Sequence, residues 1–128
     1  MFRPDIEATL KLLALTILID KLVLQEEIEA FMDSAPALNR VSCSTVKISA
    51  PRLLYWFELN RDDIAQMTKL DRAEFQRQFR QLICEASAFP DQFLIFKLMN
   101  KISMSDGRIH VSERALSKYA QVELSQVA

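Results

Sequence analysis

One glycine in a chain of 128 residues is the strongest constraint this sequence places on its fold. Average usage near 7% would supply about nine. Tight β-hairpin turns and phosphate-cradling loops depend on backbone conformations that glycine adopts without strain, so a chain nearly without it is poorly suited to either. The four prolines, at positions 4, 36, 51 and 90, fall mostly just ahead of apolar runs. There the first turn of a helix tolerates the missing N–H. The expectation is an all-α domain punctuated by helix starts.

The length is that of one domain, enough to bury roughly two-thirds of the unfolded surface without disulfides or metals. Half the residues are apolar and 26% are charged, and no low-complexity stretch interrupts them. A single helical domain over residues 1–128 is therefore expected. Sixteen basic side chains face seventeen acidic ones, so no global field gathers nucleic acid or an anionic membrane. The apolar run Leu12–Ile19 is closed by Lys11 and Asp20. At about eight residues it is far short of the roughly 20 that span a bilayer. Asp5 and Glu7 stand where a secretory signal would be basic, and the expected location is cytoplasmic, with Cys43 and Cys84 reduced and Cys84 acting as a small core residue.

Helical spacing organises the rest. Ile6, Leu10, Leu13 and Ile17 form one stripe, and Leu12, Leu15 and Ile19 another on the opposite side, so a helix over 4–20 is apolar all round and must be central. A turn at 21–24 and a shorter amphipathic helix ending near Asp33 or Ser34 follow. Residues 35–48, with Pro36 and several Ser, Thr and Asn, read as a connecting loop. The aromatic segment 52–60 fits a buried strand nearly as well as a helix, but Ser49 as a cap and Pro51 in the first turn favour helix. A short helical turn through Ile64 and Met67 follows it. Asp71 with Glu74 starts a helix bearing Phe75, Phe79, Leu82, Ile83 and Ala86. A second central helix is expected over 90–104, with only Lys97, Asn100 and Lys101 polar, and a last helix from about Val111. The count is six to eight helices.

An internal repeat joins the two ends. Asp20 to Glu27 and Asp106 to Glu113 each carry Asp, an aliphatic residue three places on and Glu seven places on, separated by 86 residues. The same shift lays Leu10 on Phe96, Leu12 on Leu98 and Leu13 on Met99. Two helix–turn–helix units about an approximate two-fold is the economical arrangement. In the second turn Gly107 suits a left-handed bend, Asp106 accepts from turn N–H groups, Ile109 plugs into the core and Glu113 favours the next helix's positive end.

With the apolar helices beside it, Asp106-Gly107-Arg108-Ile109 and Glu113 resembles the Asp-Gly-x-Ile-x-x-x-Glu turn of the TerB-like tellurite-resistance family. Asp20 to Glu27 resembles its partner copy, except that Lys21 replaces the glycine and Leu24 a polar cap. The resemblance implies a compact helical fold like the N-terminal domain of the co-chaperone DjlA, in cytoplasmic bacterial stress-response proteins, with carboxylates proposed to bind metal.

Candidate chemistry is sparse. Asp106, Glu113, Asp20 and Glu27 could offer oxygens to a divalent cation, the one cofactor this pattern could serve, or they could simply cap. Reading the second turn as a calcium loop puts Ile102 and Met104 on ligand positions, which they cannot fill. His110, the only histidine, has no second His or paired Cys at metal spacing. No nucleophile elbow or phosphate loop is present, so no catalytic residue is expected and the chain reads as a non-enzyme. Arg72, Arg77 and Arg80 make a basic stretch, but its aromatics Phe75 and Phe79 belong to the core stripe. Tyr55, Trp56 and Phe57 form either a partner surface, a homodimer face included, or core packing. The favoured reading is a non-catalytic protein-interaction or stress-response module. A metal-binding regulatory domain and a nucleic-acid-binding helical protein are the alternatives.

Overall fold

A computed structural model describes residues 2–19, 25–42 and 47–104, together with positions 118 and 122. Their regular structure is all helical, with no strand among the described residues: α1 (Pro4–Leu18), α2 (Gln25–Asp33), α3 (Ala35–Ser42), α4 (Ala50–Met67), α5 (Arg72–Ala86) and α6 (Gln92–Ser103). None of these helices is long and apolar enough to cross a membrane. The repeat's two turns, with Asp20, Asp106, Gly107, Ile109 and Glu113, lie outside the described residues, as does the start of the last helix.

The α1 helix is the hub, as its two apolar stripes demand. It packs against α2, α4, α5 and α6, and from Ile6 to Leu18 only Glu7 and Lys11 escape full burial. Pro4 occupies its first turn. The hydroxyls of Thr9 and Thr16 would be costly on such a helix, but each donates to the carbonyl four residues back, Asp5 and Leu12, at 2.9 Å.

Residues 35–42 depart from the expected loop. Pro36 sits in the first turn of α3, where proline is tolerated, so it starts a helix instead of breaking the chain. Ala35 and Leu38 are buried and Val41 is half-buried, an inward stripe whose weight outvotes the Ser and Asn around it. Leu38 N–H bonds Ser34 O at 3.0 Å, so α3 follows α2 almost without interruption.

The aromatic segment is helical, and α4 runs on through Ile64 and Met67 as one element. Ser49 Oγ accepts from Arg52 N at 3.4 Å and Pro51 lies in the first turn. Leu53, Trp56, Phe57, Ile64 and Met67 are its buried face. At α5, Asp71 Oδ1 accepts from Glu74 N at 2.9 Å, and Phe79, Ile83 and Ala86 point inward. Cys84 is exposed, contrary to the expectation of a core thiol. Its helical position explains this, since it follows the buried Ile83 by one residue and is turned about 100° away.

The α6 helix begins at Gln92 and not at Pro90, because Asp91 caps it, accepting from Leu94 N at 3.1 Å. It packs on α1 and α2 through Ile95, Leu98, Met99 and Ile102. Unlike α1 it is one-sided. Phe93 joins Lys97, Asn100 and Lys101 on the open face and is 75% exposed.

Candidate protein-interaction surface

The α4 helix divides the aromatic cluster by geometry. Trp56 is 6% exposed and Phe57 1%, whereas Tyr55 is 69% exposed. Phe31 of α2 sits between the two buried rings, 6.2 Å from Trp56 and 5.7 Å from Phe57 in tilted contacts. The Arg61 guanidinium lies 5.6 Å from the centre of the Phe57 ring. Two members of the triplet thus belong to the core and one to the surface. Leu59, one turn beyond Tyr55, is 67% exposed and completes an apolar pair that the aromatic run alone did not single out. Once 52–60 is a helix, its i, i+4 spacing from Tyr55 is the signal.

Between this pair and the start of α1 runs a groove of about 600 Å³, walled mainly by Phe2, Arg52, Tyr55, Trp56 and Leu59, with Glu7 on the α1 side. Asn60 lines its end and also a second, polar cleft of about 260 Å³ that contains Lys11, Asp63 and Glu85. The Trp56 indole N–H is buried and meets no acceptor among the described residues. An unmet buried donor costs about 1–3 kcal/mol, so a native fold seldom leaves one.

Of the four carboxylates of the acidic turns, only Glu27 is described. It is fully buried in the first turn of α2. Among the described residues no group of three or more His, Cys, Asp or Glu side chains is placed to hold a metal ion. Arg72, Arg77 and Arg80 are all exposed along α5. There Arg77 and Gln78 both donate to Glu74, and these bonds lower its carboxyl pKa to about 2. Phe75 and Phe79 stack at 5.7 Å on the inward side, so this basic face has no aromatic platform among its arginines. His110 lies outside the described residues.

No family model matches the sequence, and no curated protein or solved structure is significantly similar to it.

Proposed function

We propose that this chain is a non-catalytic protein-interaction module, of the TerB-like stress-response type its Asp-Gly-x-Ile turn resembles, working in the cytoplasm. The observation that carries the interaction reading is the pairing of exposed Tyr55 and Leu59 beside a groove walled by Trp56. Large apolar side chains held in water one helical turn apart stabilise nothing within the fold, and aromatic residues dominate the energetic centres of protein interfaces. In this reading the whole chain has six to eight helices and closes as two pseudo-repeated helix–turn–helix units. The carboxylates of the acidic turns act as helix caps and no cofactor is needed. The position of Glu27 in the first turn of α2 supports capping, since a carboxylate there faces the positive end of the helix.

The test is co-isolation of partners by the tagged full chain and by a Tyr55→Ser/Leu59→Ser variant, each checked for unchanged melting. The reading requires that a specific partner be retained by the native chain and lost by the variant. Identical sets of partners would remove this face from consideration.

A further inference from the structure

The outward face of α4 has the same spacing from either end. Arg52, Tyr55, Leu59 and Asp62 follow one another at intervals of three, four and three residues, and all four are exposed. At 100° per residue their mean direction lies about 130° from that of the buried Leu53, Trp56, Phe57, Ile64 and Met67, so the stripe points away from the core. Intervals of three and four are those of a coiled-coil seam. This seam is symmetric about position 57, where a half-turn exchanges 52 with 62 and 55 with 59.

The charges at its ends are opposite. Arg52 opens the stripe, Asp62 closes it with Asp63 alongside, and the apolar pair lies between them. On one helix Arg52 and Asp62 are about 15 Å apart, too far to pair with each other. None of Arg52, Asp62 and Asp63 takes part in an ion pair among the described residues, and Arg52 makes a long surface bond of 3.4 Å to the Lys47 carbonyl.

A parallel second copy would set Arg52 on Arg52 and Asp62 on Asp62. An antiparallel copy sets Arg52 against Asp62 at both ends and Tyr55 against Leu59 twice in the middle. A two-fold interface requires this exchange of contacts, and opposite charges fix its direction and register. Any other helix would have to bring the matching charges, whereas a second copy already carries them.

We propose that two copies of this chain pair through α4, antiparallel about a two-fold axis at position 57, with Tyr55 packed on the partner's Leu59 and Arg52 bonded to the partner's Asp62. The proposal rests on the interaction-module reading and names the occupant of its surface. One exposed charge opposes the pairing: Glu58, on the flank of the stripe, meets its own copy across the axis. Two apolar layers and two ion pairs make a small interface, so the dimer is a reversible one.

Sedimentation equilibrium of the full chain is expected to show monomer at about 5 µM and mostly dimer at about 500 µM. Tyr55→Ser/Leu59→Ser should weaken association at least about tenfold with unchanged melting at the low concentration. Asp62→Arg, which sets arginine against Arg52, should weaken it by a similar factor. Adding Arg52→Glu to that variant should restore it to within about threefold, as only antiparallel pairing allows. Glu58→Gln should tighten it. A strict monomer at the highest concentration overturns the proposal, and the Tyr55/Leu59 co-isolation of a different protein then judges the broader reading by itself. A dimer indifferent to Asp62→Arg, or one the charge exchange fails to restore, also overturns it.

Discussion

Asn39 holds Ile48 by both of its backbone groups: Ile48 N–H donates to Asn39 Oδ1 at 2.7 Å, and its carbonyl accepts from Asn39 Nδ2. The amide of one side chain thus stands in for a strand partner. It fixes the chain leaving α3 so that Ile48, itself buried, plugs the core before Ser49 caps α4. Asn39→Ala should leave both groups without their partner and cost about 1–3 kcal/mol of unfolding free energy in a urea titration. Asn39→Asp keeps the acceptor and loses the donor, so its loss should fall between wild type and alanine.

The division of the aromatic cluster gives a sharp contrast in stability. Phe31 is completely buried between Trp56 and Phe57, and Phe31→Ala should cost about 3–5 kcal/mol and move the tryptophan emission to the red as water enters. Tyr55→Ala, one residue from Trp56 but on the outside, should change stability by no more than about 0.5 kcal/mol. Equal losses for the two variants would mean that Tyr55 is not the surface residue its exposure makes it.

Acid should reveal the Glu74–Arg77 pair. The Glu74 carboxyl titrates near 2 in the fold, against an ordinary value of 4.5, first because Arg77 donates to it and then because Gln78 does. A carboxyl whose folded pKa is depressed contributes stability that is complete above its unfolded pKa and lost as pH falls through the folded one. The loss from this pair therefore belongs to the window between about pH 4.5 and 2. Thermal melts across it should show a shallower acid slope for Arg77→Gln than for the native chain. Because Arg77 is exposed and Glu74 only half-buried, the difference should be small and should shrink with added salt.

Thiol chemistry distinguishes a core cysteine from a surface one. In a Cys43→Ser background, Cys84 should react stoichiometrically with a maleimide in native buffer, with no denaturant needed, because it is exposed on α5. Cys84→Ser should shift stability by less than about 0.5 kcal/mol. Protection of the thiol until unfolding would place it back in the core.

Chelator-stripped protein titrated with calcium, magnesium and zinc should release no heat beyond dilution. A calcium loop centred on Gly107 would need Ile102 as its first ligand and Met104 as its third. Ile102 is buried within α6, and neither side chain carries an oxygen donor. Heat that disappears in Asp106→Asn and Glu113→Gln would reverse the capping assignment.

The helical fold was legible wherever two signals agreed. The double stripe of α1, the cap at Ser49 and the Asp71–Glu74 start each combine apolar spacing with terminal chemistry, and each is found where the spacing puts it. It was illegible where composition masked periodicity. Residues 35–42 are rich in loop-forming types, yet Ala35, Leu38 and Val41 recur at helical spacing, and Pro36, a breaker inside a helix, is tolerated in the first turn where it stands. Residue type misleads at Cys84, since cysteine usually lies inside, whereas its position beside Ile83 puts it outside. For the candidate surface, Tyr55 was visible in the sequence. Which of three adjacent aromatics turns outward depends on the phase of α4, and that follows from what Phe31 packs against, a contact between residues 25 positions apart. The groove is less legible still, since it pairs α4 with Phe2 and Glu7 at the far end of the sequence.

The burial of α1 has a consequence for the order of events during synthesis. This greasiest stretch leaves the ribosome before any of the helices that will cover it, and two of its walls, α5 and α6, are made some seventy to ninety residues later. Until then Leu10, Leu12, Leu13 and Ile17, all fully buried in the finished fold, lack most of the surfaces that cover them. Once the walls arrive, they have a common floor in α1, and no large fragment lacking that floor should stay folded.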